Sequence, residues 1–156
     1  METVIFGGKV LSMVNTVGTD LVIRTVATTT SSISNLVRHV TSFDQPGIDV
    51  ISQQFKEIDL EHLVSVIHEL VHEYQNVDLN NSVKKALLGV NQILENIDIE
   101  LTELRESIIE HKKKYFNSWR RFNCKCNIEN IKRDKSILDL RYKILIDLLK
   151  ININNH

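Results

Sequence analysis

The feature that most constrains this chain is a heptad pattern that begins after Asp78. Eight apolar residues alternate spacings of four and three: Val83, Leu87, Val90, Leu94, Ile97, Leu101, Leu104 and Ile108. Such spacing places the side chains on one side of an α-helix, where they pack against neighbouring helices. Neither proline nor glycine lies between Val90 and Phe122. We predict one long helix over about residues 79–122, with Asp78, Asn80 or Ser82 as its N-cap.

A second helical pattern follows a short link at residues 123–127. Its heptad face comprises Ile128, Ile131, Leu138, Tyr142, Leu145 and Leu149, with Lys135 as the one polar member. A second row comprises Ile137, Ile144, Leu148 and Ile151. We predict a helix over about residues 127–151, with Asn127 as its cap. The short link favours antiparallel packing of this helix on the long one.

The chain before Asp78 contains two further helical patterns. Asp59 is a candidate cap for a helix over about residues 59–76, and a turn at residues 44–47 separates it from the N-terminal third. The first 43 residues are rich in Val, Ile and Thr, which favours strands. Their apolar residues nevertheless lie near a helical spacing without sustained alternation, and we predict a helix over about residues 9–42.

The scarcity of helix breakers indicates the fold class. One proline and five glycines occur in 156 residues, and the hydrophobic content of 42% suffices for one folded domain. Apolar residues beside the heptad positions widen the stripe of the long helix beyond a two-stranded seam. The sequence therefore predicts a single all-α domain over residues 1–156, arranged like a four-helix bundle.

The segment HELVH at residues 68–72 has the form H-E-x-x-H, a zinc-protease signature. His68 and His72 lie one helical turn apart, so both can ligate one Zn²⁺, and Glu69 can act as general base. The longer pattern needs a glycine at position 75 and a ligand at 78, where this chain has Gln75 and Asp78. Carboxylates on the long helix that can replace the third ligand are Glu95, Glu100 and Glu103.

The helical wheel favours another interpretation of this segment. The apolar stripe centres near Ile67, His68 and His72 fall on its flank, and Glu69 lies on the polar face. We therefore expect a solvated helix face, no catalytic residue and no cofactor, and we keep a zinc site at His68 and His72 as an alternative.

The segment from Lys112 to Lys125 contains six basic residues and no acidic one. Its candidate contacts to an anionic partner are Lys112, Lys113, Lys114, Trp119, Arg120, Arg121 and Lys125. Cations neutralise phosphates and aromatic rings stack on bases or lie at lipid interfaces, so a nucleic acid or an anionic membrane is the possible partner. The alternative is a structural helix whose C-terminal cations complement its dipole.

Charge and cysteine content indicate which partners and which redox compartment to expect. The formal net charge is −1, which gives no overall attraction to nucleic acid or anionic lipid. Only two cysteines occur, Cys124 and Cys126, and a disulfide between residues so close in sequence would be strained. We expect a reducing, intracellular location with free thiols. Neither a signal peptide nor a transmembrane segment is predicted.

Residues 5–37 (IFGGKVLSMV…) and the segments SVKKALLGVNQILENI and KKKYFNSWR resemble small uncharacterised proteins of nucleocytoplasmic large DNA viruses. The tail ILIDLLKININNH fits an AT-rich genome of that kind. The resemblance implies a location in the host cytoplasm or the virion and transfers no functional residue. A fainter resemblance, to HeLo-type four-helix bundles, lies in the order of a long helix, an aromatic-basic corner and a Leu-rich last helix.

These observations favour a non-enzymatic interaction or structural protein that acts through a protein partner or self-association. The sustained heptads and the absence of a complete catalytic set support this hypothesis, and no small-molecule substrate is evident. A membrane- or nucleic-acid-binding bundle that uses residues 111–125 is the alternative, and a zinc hydrolase is the second alternative.

Overall fold

The computed structural model describes residues 18–43, 48–114 and 122–154. Five α-helices and no strand occur in these three ranges: α1 Thr19–Thr41, α2 Asp49–Ile58, α3 Leu60–Glu73, α4 Asn81–Lys113 and α5 Lys125–Asn154. The prediction of an all-α bundle is confirmed. The N-terminal segment is helix rather than strand over Thr19–Thr41. Gly18 is its N-cap and has an extended backbone, so the prediction of one unbroken helix from residue 9 is wrong, and positions 9–17 lie outside the described residues.

The long helix α4 packs against both α1 and α5. Helix α1 also contacts α2 and α3, and α2 contacts α5, so the helices surround one shared core. All eight heptad residues of α4 are buried, with exposed fractions of 3% or less. The heptad pattern therefore identified the buried side of α4 correctly.

Helices α4 and α5 run antiparallel, as predicted, although residues 114–124 rather than 123–127 separate them. At one end the Asn80 side chain accepts the Val83 N–H at 3.0 Å and donates to the buried Asn152 Oδ1 at 2.7 Å. Asn80 is therefore the N-cap of α4. Toward the other end Glu100 accepts hydrogen bonds from Asn127 and Asn130.

The structure corrects the predicted ends of these two helices. Helix α4 ends at Lys113, and Lys114 has an extended backbone, so the prediction of a helix to residue 122 is wrong. No buried apolar side chain follows Ile108 on α4, and local propensity alone does not sustain a helix without packing. Helix α5 begins at Lys125, whose N–H donates to Asn123 Oδ1 at 3.2 Å. Asn127 lies inside the helix, so it is not the cap.

Helix α2 was not predicted. Its buried residues Ile51, Phe55 and Ile58, with the preceding Ile48, have a spacing of three and four that indicates a helix. Asp59 separates α2 from α3 with a left-handed backbone, φ 53°, and its side chain makes no capping hydrogen bond. The prediction of Asp59 as a side-chain cap is wrong, because this left-handed residue joins two short helices. The predicted helix 59–76 is observed as Leu60–Glu73.

Within the described ranges, no helix combines the length and the apolarity that a bilayer span requires.

Candidate functional site

HELVH lies on α3, between buried Ile67 and buried Val71. His68 is half-buried, and its Nδ1 lies 2.9 Å from Oγ1 of Thr30, a fully buried residue of α1. The Thr30 hydroxyl also lies 2.9 Å from the carbonyl oxygens of Val26 and Ala27, which can only accept. The tautomer of His68 decides which of the two groups donates in this hydrogen bond. His68 therefore joins α3 to α1.

The other two residues of the motif, Glu69 and His72, are exposed. Within the described ranges, no group of three or more His, Cys, Asp or Glu side chains lies close enough together to hold a metal ion. Of the candidate third ligands, Glu95 accepts from Asn91 and Glu100 accepts from Asn127 and Asn130. Asp78 lies 3.8 Å from Lys84, and Glu103 is exposed. The zinc hypothesis therefore has only His68 and His72 as ligands in this part of the chain.

The basic segment is described only at its two ends. Lys112, Lys113 and Lys114 are exposed at the end of α4, and the Lys112 ammonium lies 4.4 Å from the centroid of the Phe43 ring. Lys125 lies 3.8 Å from Glu129 on the first turn of α5. Trp119, Arg120 and Arg121 lie outside the described residues. The anionic-partner surface therefore stays a prediction.

The two cysteines are free, as expected, and differ in their surroundings. Cys124 is half-buried against the core, and this burial raises the pKa of its thiol above the ordinary value. Cys126 is exposed at the start of α5, with its Sγ 3.9 Å from the amide nitrogen of Asn130. A raised pKa leaves less of the nucleophilic thiolate at neutral pH, so nothing in this environment activates Cys124.

A groove of about 600 Å³ lies between α1, α2 and α3. Its charged lining is balanced, with Arg38 and Lys56 facing Asp59 and Glu61. Arg38 Nε and Glu61 Oε1 lie 3.1 Å apart, and both side chains are largely exposed to solvent. Such exposed pairs contribute little binding or folding energy, and this lining singles out no class of ligand.

The most unusual surface of the described residues lies on α5, which carries two apolar rows. The inner row includes Ile131, Leu138 and Leu145, all fully buried. At 3.6 residues per turn, the outer row lies roughly 140° around the helix axis from the inner row. It consists of Ile137, Leu140, Ile144, Leu148 and Ile151. We call these five residues the outer row of α5.

Three of the five side chains of the outer row are open to solvent. Leu140 is 65% exposed, Ile144 57% and Ile151 58%, whereas Ile137 and Leu148 are partly buried against the core. The second apolar row predicted from the sequence includes four of these five residues and omits Leu140. Nothing in the local pattern distinguished this row from a second core face, because only the neighbouring helices determine which face is covered.

Charged side chains flank the outer row. Arg133 Nε donates to Oδ1 of buried Asp134 at 3.0 Å, and this bond raises the pKa of the Arg133 guanidinium. Lys143 is exposed, and Asp147 lies 3.8 Å from Lys150 with both side chains in solvent. An apolar strip with a charged rim is typical of a protein contact surface.

Comparisons with known proteins agree with the resemblance to giant-virus proteins. This chain is 21% identical to an uncharacterised protein of Acanthamoeba polyphaga mimivirus over an alignment of 151 residues. The alignment covers 79% of this chain and 72% of the viral protein. No family model and no solved structure matches the chain. The fainter resemblance to HeLo-type bundles is not shown by these comparisons.

Proposed function

We propose that this protein is a non-enzymatic helical-bundle interaction protein that binds an apolar face of a partner helix through the outer row of α5. The observation that carries the proposal is the exposure of Leu140, Ile144 and Ile151 on a helix whose inner row already fills the core. Burying a fully exposed Leu or Ile is worth about 1.5–3 kcal/mol, so three half-exposed side chains represent a substantial binding energy.

The spacing of the outer row supports a helix as the partner. Its successive spacings are three, four, four and three residues, which keep the five side chains on one narrow strip about 20 Å long. A partner helix presents an apolar row of the same period, and the two rows interdigitate as in helix bundles and coiled coils. An extended strand, with its period of two, would match only some of the five positions.

The similarity to a mimivirus protein supports a virus-encoded structural or accessory role, because it covers most of both chains. That relative is itself uncharacterised, so the proposed activity rests on the surface of α5 rather than on the similarity. Contact with anionic lipid or nucleic acid through residues 111–125 remains a separate prediction.

Two designed helical peptides test the proposal. One carries Ile and Leu at the spacing of the outer row, and its control has the same composition with those residues dispersed around the helix. We expect saturable binding of the first peptide by fluorescence anisotropy and about tenfold weaker binding of the second, a difference of roughly 1.4 kcal/mol.

A matched pair of variants locates the binding site. Ile144→Gln removes an outer-row residue, and Ile99→Gln removes an equally exposed isoleucine from α4. We expect Ile144→Gln to weaken peptide binding and Ile99→Gln to leave it unchanged, with circular dichroism confirming that both variants fold. Equal binding of the two peptides, or binding that survives Ile144→Gln, would overturn the proposal.

A further inference from the structure

We infer that the partner helix is α5 of a second copy of this chain, packed antiparallel about a two-fold axis at Ile144. This inference rests on the proposed function, because it names the occupant of the same surface. The evidence lies in the order and spacing of the outer row, in the charges beside it and in the area that it exposes.

The outer row is a palindrome in both spacing and residue type. Counted from Ile144, its members lie at −7, −4, 0, +4 and +7, and they read Ile, Leu, Ile, Leu, Ile. A two-fold axis perpendicular to the helix at Ile144 reverses this order. Ile137 then faces the second copy's Ile151, Leu140 faces its Leu148, and Ile144 faces its own counterpart.

This self-complementarity is what a two-fold interface requires, since both copies use the same patch. Each facing pair away from the axis joins a strongly exposed side chain to one that is partly buried at the edge of the core. Leu140, for example, projects into solvent and meets Leu148 of the second copy, which lies lower on its own surface. The exposed side chains of one copy therefore enter the shallow positions of the other.

The charges beside the row fit the same register. Asp147 lies three residues after the axis, and Lys143 lies one residue before it. In the antiparallel pair, Asp147 is therefore within about 3 Å, along the helix axis, of the second copy's Lys143, on the same side of the interface. This pair forms twice in the dimer, and the charges beside the axis follow the order Asp147, Lys143, Lys143, Asp147, with the two lysines also about 3 Å apart along the axis. Within the described part of one chain, Asp147 has an exposed contact of 3.8 Å to Lys150.

The exposed area indicates a weak and reversible dimer. Even if Leu140, Ile144 and Ile151 of both copies lost all their exposed surface, the dimer would bury only on the order of 700 Å² of apolar surface, below the ~1,600 Å² of a standard interface. We therefore expect association only at micromolar or higher concentrations, with sedimentation equilibrium showing a rising dimer fraction from about 10 µM to about 500 µM.

Cysteine cross-linking tests the register, in a background that carries Cys124→Ala and Cys126→Ser. We expect Ile144→Cys to form a disulfide-linked dimer under mild oxidation. Ile137→Cys alone should not, because its two copies lie about 21 Å apart along the helix axis, well beyond the 4.4–6.8 Å Cα separation of a disulfide. An equimolar mixture of Ile137→Cys and Ile151→Cys should form the mixed dimer.

The charged pair provides a second test that leaves the core untouched. Lys143→Asp alone and Asp147→Lys alone should each weaken the dimer several-fold, because each places like charges opposite each other. The double variant exchanges the two charges and should restore association.

Leu21→Cys, at an exposed position on α1, is the matched control for the cysteine cross-linking and should not form a disulfide-linked dimer.

Two outcomes would overturn the inference. Cross-linking of Ile137→Cys with itself at the efficiency of Ile144→Cys would indicate a parallel pair, and a monomer at every concentration would exclude self-pairing. If the chain stays monomeric while the designed peptide still binds, self-pairing alone fails. If neither association occurs, the proposed function fails as well.

Discussion

Helix α5 contains two apolar rows of similar composition that have opposite surroundings. Leu138 of the inner row is fully buried, whereas Leu140 of the outer row, two residues away, is 65% exposed. Both rows have helical spacing, and both consist mainly of Ile and Leu. The difference shows that helical periodicity marks a face that is able to pack, while the neighbouring helices decide which face packs within the chain.

The largest expected effect comes from truncating the matched pair of leucines. Leu138→Ala opens a cavity in the core and should lower the free energy of unfolding by about 2–5 kcal/mol. Leu140→Ala should change it by less than about 0.5 kcal/mol, because the side chain already meets water. Urea denaturation at low protein concentration measures both changes. Equal losses would contradict the assignment of inner and outer rows.

A pair of glutamates on α4 extends the comparison to polar groups. Glu100→Ala leaves the amides of Asn127 and Asn130 without their acceptor at the α4–α5 contact and should cost about 1–2 kcal/mol. Glu103 is exposed, so Glu103→Ala should cost almost nothing. Thermal and urea unfolding compare the two variants. A larger loss for Glu103→Ala would show that the Glu100 bonds do not hold the hairpin together.

The two histidines of HELVH form a third matched pair. His68→Ala removes the hydrogen bond to Thr30 and should cost about 1 kcal/mol, whereas His72→Ala should stay within about 0.5 kcal/mol of the parent. Unfolding curves in a metal-free buffer measure this difference. Similar stability of the two variants would remove the structural role assigned to His68.

The smallest effect concerns thiol reactivity rather than folding. Burial raises the pKa of the Cys124 thiol, so a smaller fraction of Cys124 is thiolate at pH 8. Its reaction rate should therefore rise with pH over a higher pH range than that of an ordinary thiol. Cys126 in the Cys124→Ser variant should therefore react about threefold faster, or more, than Cys124 in the Cys126→Ser variant. A chromogenic disulfide reagent reports both rates. Faster reaction of Cys124 would contradict its half-buried placement.

Much of the fold follows from the sequence pattern. The eight heptad residues of α4 and the inner row of α5 are as predicted, and Asn80 is the N-cap among the three predicted candidates, because each of these features depends on residues close together in sequence. The end of α4 and the separate helix α2 were not predicted correctly. The end of α4 depends on whether distant segments supply a surface for the last turns, and the break at Asp59 depends on a left-handed residue that is not glycine.

The surroundings of the candidate functional residues were harder to predict from the sequence. HELVH matched a zinc-site pattern, but in the structure His68 contacts Thr30, which lies 38 residues earlier in the chain. Leu140 was absent from the predicted second row, although its exposure makes it central to the proposed surface. In each case the deciding contact, or its absence, involves another helix.

The sequence by itself determined that the chain forms amphipathic helices and that the last helix has two apolar rows, because 3.6 residues per turn relates every side chain to a face. Only the tertiary structure decided that Leu138 belongs to the core and that Leu140 faces water. The physical reason is that burial depends on which distant segments approach a face, and the space beside α4 accommodates only one side of α5.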